Sequence, residues 1–525
     1  MTETVFNFAS VVLLFLSVIF GSTRAFQMLQ QNSYVNSRFR GWLFDGWILD
    51  LIISVVQIAS FSAVYILFKK SIFSVLCLLT LIMSIASSCS GQKKSIKPLV
   101  YTARVKRMYV TLLIIFLILT GLMAVPSLFG IVPFIAIVIF AFSDFVVPIV
   151  NLINKPIEKA VSQHFISDAK RILKSSPDMT VIGVTGSYGK TTTKFILERL
   201  LSEKYTVTVT PESFNTPMGV VRTIREKMKP ATEIFIAEMG AKNVGDIKEI
   251  CDIVNPSVGL ITSVGPQHLN TFGSVENIID TKFELADAVA LKNGKIFLNG
   301  DNEYISERSV RYENTVFYGT DKGNFCRAEN ITCSSAGSSF DICIGDERIT
   351  VTTRLLGTHN VLNILGAAAI AHDLGVSSSD IKFSVNALKP VAHRLEMKSF
   401  AKGATLIDDA YNSNPKGCIE AVNVLSHFEG MKKIIVTPGL VELGDKEYEC
   451  NYKLGLEAGK ICDEIYLVGI ERSKPMSAAL DKLNYDKNKI HITASFKEAM
   501  EQLVPTLDTN CVVLLENDLP DNYLK

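Results

Sequence analysis

The feature that most constrains the fold of this chain is a β-branched run that ends in a glycine-rich turn. Residues 180–193 read TVIGVTGSYGKTTT, so a strand pattern leads into the turn and a helix pattern follows it. Gly186 and Gly189 remove side chains where backbone N–H groups must close around phosphate oxygens. Lys190 can reach the β- and γ-phosphates of a nucleotide, and the Thr191 hydroxyl can bind Mg²⁺. The residues predicted to contact a nucleoside triphosphate are Thr185, Gly186, Ser187, Tyr188, Gly189, Lys190, Thr191 and Thr192.

The first 150 residues carry most of the apolar character of the chain. The mean hydropathy is +0.28 and 48% of the residues are hydrophobic, which is high for a wholly soluble enzyme. A helix needs about 20 apolar residues to cross a bilayer. Helices of a soluble protein would not include five apolar runs in succession without amphipathic faces. Residues 1–150 therefore predict an α-helical membrane domain with about five spans. The apolar runs lie near 5–21, 47–68, 72–86, 109–125 and 128–150.

Basic residues between these runs predict how the spans are oriented. They follow the first, third and fifth runs, and such loops stay on the cytoplasmic side of a membrane. We therefore expect a multi-pass protein whose N-terminus lies outside and whose large C-terminal part lies in the cytoplasm. Lys69 and Lys70 run against this pattern. The residues that set the orientation are Arg24, Arg38, Arg40, Lys93, Lys94, Lys97, Arg104, Lys106, Arg107, Lys155 and Lys159.

Charge and cysteine content argue against two other classes of protein. The formal net charge is +1, so there is no global basic field for nucleic acid, and we expect no nucleic-acid partner. The ten cysteines form no C-x-x-C pair, and Cys326, Cys333 and Cys343 are too loosely spaced for a zinc ribbon. The cysteines therefore predict small core residues in a reduced compartment.

Three segments follow the apolar region. Residues 151–178 predict an amphipathic linker helix, residues 179–396 an α/β P-loop ATPase central domain, and residues 397–525 a C-terminal Rossmann-like α/β domain. Residues 321–354 alternate polar and apolar side chains without a helix pattern, which predicts a small β insertion in the central domain. Strands are expected at 180–185, 233–238, 258–264, 295–299 and 315–318, and then at 404–408, 432–437, 464–468 and 511–515.

Several polar residues follow predicted strands, where parallel sheets place their ligands. Glu238 ends a strand next to the phosphate turn and can hold Mg²⁺. His268 lies on a polar loop after another strand, and Lys282 lies on the helix beyond it. Asn360 opens a helix within the sequence HNVLN, and Asp408 ends the first strand of the last domain within DDAYNSNP.

Taken in order, these motifs resemble the Mur ligase family, the ATP-dependent amide ligases of cell-wall precursor synthesis. The resemblance covers about 179–525 and is carried by TGSYGKT, EMG, the His268 loop, Lys282, HNVLN and DDAYNSNP. Together with VELG at 441–444, the last motif is most similar to the branch that adds D-alanyl-D-alanine to UDP-N-acetylmuramoyl-tripeptide. The resemblance implies ATP, Mg²⁺ at two sites and a bacterial cytoplasmic membrane as the location of the anchored ligase.

The resemblance also implies roles for individual residues. Lys282 would be carbamylated and would supply a carboxylate near the second metal. Asn360 would contact adenine, Arg394 would face phosphate from the interdomain hinge, and Asp408 would touch the ribose or order the hinge. The implied catalytic residues are Lys190, His268, Lys282 and Arg394. The implied metal ligands are Thr191, Glu238 and His268. The implied substrate contacts are Asn215, Thr216, Tyr411, Asn412 and Asn414.

Two departures from the family pattern bear on function. Where a glycine is expected before the hinge arginine, this chain has His393. The apolar segment stands where the family has an N-terminal domain that grips the UDP-sugar. The leading hypothesis is a membrane-anchored, ATP-dependent carboxylate–amine ligase that forms an acyl phosphate, closest to D-alanyl-D-alanine addition in peptidoglycan precursor synthesis.

Two alternatives stay open at this point. The chain could ligate an amine onto a lipid-linked or polymeric acceptor, or it could be a membrane scaffold with a vestigial ATPase. The expected partners are the lipid bilayer, a small-molecule amine donor and a carboxylate acceptor, which would be a UDP-linked or lipid-linked muramoyl peptide. The short linker helix predicts that the ATP site stays near the membrane surface.

Overall fold

The computed structural model describes residues 2–44, 47–67, 70–94, 97–122, 125, 131–267, 269–411, 414–441 and 443–517. They form two compact units, one up to Gln163 and one from His164 onward. The predicted site residues His268 and Asn412 lie outside the described residues.

The first unit is built from α-helices around an apolar interior. The rings of Phe15 and Phe116 stack with their centroids 4.2 Å apart, and Phe39 is fully buried. Arg107 donates to both carboxylate oxygens of Glu158 at 2.7 Å. The helices are α1 (Thr2–Gly21), α2 (Thr23–Gln31), α3 (Asn36–Leu43), α4 (Trp47–Leu67), α5 (Lys70–Lys94), α6 (Ala103–Leu122), α7 (Val132–Ala141) and α8 (Ser143–Lys174).

Helices occupy each of the five apolar runs, but they differ in length. Among the described residues, Phe6–Gln31 and Ala103–Leu122 are long and apolar enough to cross a membrane. Helices α7 and α8, bent by 96° at their junction, could together form a third span. The apolar helical stretches Ile52–Leu67 and Ile72–Ala86 are shorter. A membrane domain with five spans therefore stays a prediction.

The outer surface of this unit is apolar along several helices. Met83 on α5 is 72% exposed, and Leu117 and Ile118 on α6 are 57% and 59% exposed. Contiguous exposed apolar faces are typical of surfaces that contact lipid or another protein. The pattern is compatible with helices that lie in a bilayer.

The last apolar run differs from the straight helix that its composition suggests. Helix α7 ends at Ala141 because Phe142 leaves the helical conformation, with φ −109° and ψ 34°. Helix α8 then runs without a break past residue 150 to Lys174. The linker helix predicted at 151–178 therefore corresponds to the C-terminal part of α8, which ends at Lys174.

The second unit begins with a nine-stranded sheet in the order β2-β3-β1-β4-β5-β6-β7-β8-β9. Its first six strands are parallel, and the strands after them form antiparallel hairpins. The strands are β1 (Thr180–Thr185), β2 (Val207–Val209), β3 (Ile234–Glu238), β4 (Val258–Ile261), β5 (Lys295–Asn299), β6 (Thr315–Gly319), β7 (Cys326–Ser334), β8 (Gly337–Ile344) and β9 (Glu347–Thr353).

The predicted β insertion is thus part of the main sheet. Strand β7 pairs in parallel with β6 at Tyr318 and Gly319, so the three strands extend the sheet at its edge. The helices around this sheet are α9 (Lys190–Leu201), α10 (Pro217–Lys227), α11 (Asp246–Val254), α12 (Leu269–Phe272), α13 (Val275–Ala290), α14 (Glu303–Ser309), α15 (Thr358–Asp373) and α16 (Ser378–Asn386).

Alternating side chains give this sheet two buried faces. Ile182 and Val184 of β1 pack with α9 and α15, whereas Val181 packs on the opposite face with α10, α11 and α13. This alternation explains why the strands read as continuous apolar runs, since both faces of a parallel sheet are covered by helices. The carboxyl ends of β1 and β3 lie at the same edge of the sheet, where β1 leads into the glycine-rich turn.

The last part of the chain forms a smaller sheet in the order β10-β11-β15-β12-β13-β14. All its strands are parallel except β10. The strands are β10 (Glu396–Ser399), β11 (Thr405–Asp409), β12 (Lys432–Thr437), β13 (Glu464–Val468), β14 (Ile490–Thr493) and β15 (Cys511–Glu516). The helices are α17 (Pro415–Ser426), α18 (Glu447–Ile461), α19 (Lys474–Lys482) and α20 (Phe496–Leu503).

Candidate active site

The glycine-rich turn between β1 and α9 has the backbone that its sequence predicts. Gly186 and Gly189 have φ of +148° and +80°, values that favour glycine. A Cβ at Gly186 would collide with the Thr262 hydroxyl, and one at Gly189 with the side-chain oxygen of Asn363. Both positions therefore require glycine for conformation and for space.

The turn is supported from the loop that follows β4. The Ser187 hydroxyl donates to the Gly265 carbonyl at 3.0 Å, and the Tyr188 hydroxyl donates to the Pro266 carbonyl at 2.9 Å. The side chain of Thr185 is buried and donates to the Met239 carbonyl at 2.9 Å. These contacts fix the turn before any ligand arrives, which lowers the cost of organising it around phosphate.

Lys190 folds back over the turn. Its ammonium donates to the carbonyls of Gly186 at 2.7 Å and Ser187 at 3.2 Å. Burial lowers the pKa of Lys190 to about 8; the Glu238 carboxylate acts in the opposite direction, and the charge of Arg394 lowers it further. Arg394 is therefore close enough to Lys190 for the two charges to repel.

Glu238 lies at the centre of a buried polar cluster at the end of β3. Its Oε1 accepts from the Thr191 hydroxyl at 3.1 Å and from the Asn215 amide at 2.9 Å. Its Oε2 lies 3.0 Å from the ammonium of Lys194, and both side chains are fully buried. β3 pairs with β1 so that Glu238 stands beside Val184, which explains why it meets the start of α9.

Lys282 is a buried lysine on α13, with 3% of its surface exposed. Burial holds its pKa well below the usual range, and the nearby charge of Lys190 lowers it further. Its ammonium nitrogen lies 6.0 Å from the ring centre of Phe272. Burial therefore shifts the equilibrium of Lys282 toward the neutral amine, which is the nucleophilic form.

The two asparagines that open α15 lie against the phosphate turn. Asn363 accepts from the Thr193 hydroxyl at 3.0 Å and donates to the side-chain oxygen of Asn360 at 3.2 Å. Asn360 donates to the Leu356 carbonyl at 2.8 Å. Thr192 points to a neighbouring cavity of about 250 Å³, whose lining includes Leu355.

The segment between the two sheets carries His393 and Arg394, which the sequence predicts to be hinge residues. The guanidinium carbon of Arg394 lies 4.8 Å from the ring centre of Tyr411, a cation–π distance. The Tyr411 hydroxyl lies 2.5 Å from the hydroxyl of Ser213, which belongs to the loop after β2. Oδ2 of Asp408 lies 2.8 Å from Nδ1 of His393 and accepts a hydrogen bond from the Lys398 ammonium at 2.9 Å.

The structure brings together most of the predicted phosphate and metal residues, but two predicted substrate contacts serve elsewhere as helix caps. Thr216 accepts from the Gly219 N–H at 3.3 Å at the start of α10, and Asn414 accepts from the Gly417 N–H at 2.8 Å at the start of α17. Capping leaves these side chains less free to bind a substrate. Their substrate roles stay predictions.

Sequence reasoning missed Lys194, Ser213 and Lys398. Lys194 follows Lys190 by four residues, so the helix pattern could have placed it on the same face as the phosphate turn. No sequence signal links Ser213 to Tyr411, because their contact depends on how the two sheets pack.

The oxygen pair of Thr191 and Glu238 fits a hard cation such as Mg²⁺. The hydroxyl and carboxylate oxygens are 3.1 Å apart and lie beside a turn shaped for phosphate. The described residues contain no group of three or more His, Cys, Asp or Glu side chains placed to hold a metal. A cation here would therefore share its coordination with phosphate oxygens and water, as Mg²⁺ usually does.

Comparison with known proteins matches this architecture to a family. Residues 184–371 match the family model described as Mur ligase middle domain, and residues 393–516 match the model described as Mur ligase, glutamate ligase domain. The UDP-N-acetylmuramoyl-tripeptide–D-alanyl-D-alanine ligase of Bacillus subtilis is 34% identical over 268 residues, which cover 51% of this chain and 57% of that protein. The ligase of the same name from Escherichia coli is 28% identical and covers 62% and 74%.

Solved structures of MurF ligases are similar to this chain as well. A structure of MurF from Acinetobacter baumannii aligns with a TM-score of 0.61 at 25% identity and covers 68% of this chain and 77% of that one. The MurF ligase from Thermotoga maritima in complex with ADP aligns with a TM-score of 0.59 at 28% identity and covers 68% and 80%. The chain spans 57% of the length of the Bacillus relative and 59% of the Mycobacterium tuberculosis one.

Proposed function

The chain belongs to the Mur ligase family, and we propose from this premise that it is an ATP-dependent ligase that joins a carboxylate to an amine. One observation carries the proposal. The Lys190 ammonium folds over a turn whose Gly186 and Gly189 have positive φ, and oxygens of Thr191 and Glu238 lie 3.1 Å apart beside it. A lysine and a candidate Mg²⁺-binding pair at such a turn suit the phosphates of a nucleoside triphosphate.

The proposed reaction has two steps. An oxygen of the acceptor carboxylate attacks the γ-phosphorus of ATP, which releases ADP and leaves an acyl phosphate. The donor amine then attacks the acyl carbon, a C–N bond forms, and phosphate and a proton leave. Lys190 would turn from its own loop carbonyls to the phosphates, and Thr191 and Glu238 would hold Mg²⁺. The cation supplies charge neutralisation on the transferred phosphoryl group.

Two further residues gain physical support for their proposed roles. The lowered pKa of Lys282 shifts it toward the neutral amine, the form that reacts with carbon dioxide to give a carbamate, which would supply the extra carboxylate. Arg394 is close enough to Lys190 to lower its pKa, which supports a role for Arg394 on phosphate. The adenine role of Asn360 and the ribose or hinge role of Asp408 are proposed on the family pattern.

We propose peptidoglycan precursor synthesis as the setting, with addition of D-alanyl-D-alanine to a UDP-linked muramoyl tripeptide as the first substrate pair to test. The names of the Bacillus and Escherichia coli relatives support this pair. The test is phosphate release and product formation by the detergent-solubilised full-length protein across a panel of UDP-linked and lipid-linked acceptors. Lys190→Ala is the inactive reference, with an expected rate loss of about 10²–10³-fold.

A lipid-linked acceptor is the second candidate, because an apolar helical unit precedes the matched domains. Residues before 184 lie outside both family models, and α5 and α6 expose apolar faces. We propose that this unit anchors the protein in the bacterial cytoplasmic membrane with the ligase domains in the cytoplasm. Product on lipid-linked acceptors alone would support this candidate, and product on UDP-linked acceptors alone would contradict it. Nucleotide binding without any product would favour a scaffold with a vestigial ATPase.

A further inference from the structure

A lysine outside the recognised motifs lies beneath the phosphate turn. Lys194 stands one helical turn after Lys190 in α9, and its ammonium is 3.0 Å from Oε2 of Glu238. Neither side chain is exposed to solvent. Burying such a pair costs desolvation energy that the attraction between the charges often fails to recover. Stability alone is therefore a weak reason for this ion pair.

The same ammonium also holds the loop after β2. It donates to the backbone carbonyl of Glu212, whose φ of +43° is unusual for a residue other than glycine. Three residues later, the Asn215 amide donates to Oε1 of Glu238 at 2.9 Å. Lys194 therefore connects the phosphate helix, the end of β3 and this loop.

The two oxygens of Glu238 have different surroundings. Oε2 meets Lys194, whereas Oε1 meets the Thr191 hydroxyl at 3.1 Å and the Asn215 amide. A cation shared by Thr191 and Glu238 would approach from the side of Oε1. Oε2 is already bound to the ammonium of Lys194.

We infer that Lys194 is a positioning residue that limits Glu238 to coordination of the nucleotide-bound cation through one oxygen. The inference rests on the proposed function, because it takes Thr191 and Glu238 as metal ligands. Mg²⁺ demands near-octahedral geometry with single oxygens, whereas Ca²⁺ accepts both oxygens of a carboxylate. By holding Oε2, Lys194 favours Mg²⁺ over Ca²⁺ at this site.

The test measures cation preference rather than turnover. The full-length protein is saturated with a non-hydrolysable ATP analogue and Mn²⁺, and free Mn²⁺ is followed by electron paramagnetic resonance while Mg²⁺ or Ca²⁺ displaces it. Lys194→Met is expected to weaken Mg²⁺ about 10- to 100-fold and Ca²⁺ clearly less, so that the preference for Mg²⁺ falls. Lys194→Arg can still donate to Oε2 and is expected to keep the wild-type preference. Lys227→Met, an exposed lysine on α10, is the matched control.

Each other outcome overturns the inference. A folded Lys194→Met protein with an unchanged Mg²⁺-to-Ca²⁺ ratio, or with equal losses for both cations, would show a structural role only. If that variant does not fold, Lys194→Gln gives the same comparison. Failure of both to fold would also mean a structural role. If the protein ligates but its Mg²⁺-to-Ca²⁺ ratio is unchanged in the variant, the inference fails and the proposed function stands. If the wild-type protein does not bind the nucleotide analogue, the inference and the proposed function both fail.

Discussion

His393 lies 2.8 Å from Asp408 across the start of the C-terminal domain, with its Nδ1 facing Oδ2 of the carboxylate. The backbone of His393 has φ of +58°, in the left-handed region that favours glycine. Its N–H donates to Glu396 at 3.1 Å. These contacts explain how a histidine can occupy the position where the family pattern has glycine. The strain in the backbone is offset by a side-chain bond that glycine cannot make.

We predict that His393→Gly is more stable than His393→Ala. Alanine keeps the left-handed strain of about 1–2 kcal/mol and loses the Asp408 bond, whereas glycine loses the bond but relieves the strain. The glycine variant should stay within about 1 kcal/mol of wild type, since the lost hydrogen bond is worth about that much. Urea unfolding of the solubilised protein, followed by a probe in the C-terminal domain, measures the order. An alanine variant as stable as the glycine variant would mean that the left-handed backbone costs nothing here.

Acid should weaken the same region through Asp408. Burial alone would raise the pKa of this carboxyl, but hydrogen bonds from Lys398 and His393 outweigh burial and hold the pKa below its usual value. A carboxyl with a lowered folded pKa adds stability above its unfolded pKa of about 3.9, and this stability is lost as the pH falls through the folded value.

Lys398→Met should therefore cost most near pH 7 and progressively less below about pH 4, since it removes a bond to a carboxylate that acid protonates. Lys398 also pairs with Glu396 at 2.8 Å, and Glu396 has a lowered pKa as well, so both carboxyls contribute to the change. The measurement is the difference between the urea midpoints of the variant and wild type at several pH values. A difference that does not change with pH would rule out this linkage.

Long apolar strands could be predicted from sequence, and short edge strands could not. The runs at 180–185, 295–299, 432–437 and 464–468 have the bounds seen in β1, β5, β12 and β13. The strands missed are β2, β10 and β14, and each lies at an edge of its sheet. An edge strand is covered less by helices, so sequences such as EMKS and IHIT carry little of the apolar signal.

The candidate site also contains residues that the sequence could predict and residues that it could not. The phosphate turn follows β1 and Glu238 ends β3, and these strands are neighbours in a parallel sheet, so local motifs and topology were enough to place them together. The partners of those residues come from packing: Lys194 lies 44 positions before Glu238 in the chain, and Ser213 lies 198 positions before Tyr411. The four-residue spacing of Lys194 from Lys190 predicts a shared helix face but not the partner Glu238, and no local periodicity predicts the Ser213–Tyr411 pair.

The Ser213–Tyr411 contact should contribute to holding the two domains together in the described arrangement. A hydrogen bond is worth about 1 kcal/mol, so Ser213→Ala and Tyr411→Phe should each lower kcat/KM about fivefold. The double variant should be no worse than either single one, because both remove the same bond. Tyr448→Phe, an exposed tyrosine on α18, is the control. Fully additive losses would show that the two hydroxyls act independently.

Lys282 should carry a carbamate in the working enzyme. Its lowered pKa favours the neutral amine, and carbon dioxide reacts with that form. With ¹³C-labelled bicarbonate, we expect a carbamate resonance in wild type that is lost in Lys282→Ala and kept in Lys248→Ala, an exposed lysine on α11. Activity of Lys282→Ala should fall about 10²–10³-fold and recover in part with added short carboxylates. Full activity without the resonance would leave Lys282 as a buried structural lysine.

The orientation of the first unit can be tested with single cysteines. Lys97 follows α5 in a loop of basic residues that the positive-inside rule places in the cytoplasm, whereas Val125 follows α6 and should lie outside. Both positions are exposed, and the native Cys89 is exposed too and is first replaced by serine. In intact cells, a membrane-impermeant maleimide should label Val125→Cys and reach Lys97→Cys only after the cells are opened. Labelling of Lys97→Cys in intact cells would invert the topology, since the N-terminus and the ligase domains would then lie on the opposite sides. Labelling of neither position, or of both, would argue that α6 does not cross the membrane between residues 97 and 125. The apolar faces of α5 and α6 would then contact another protein.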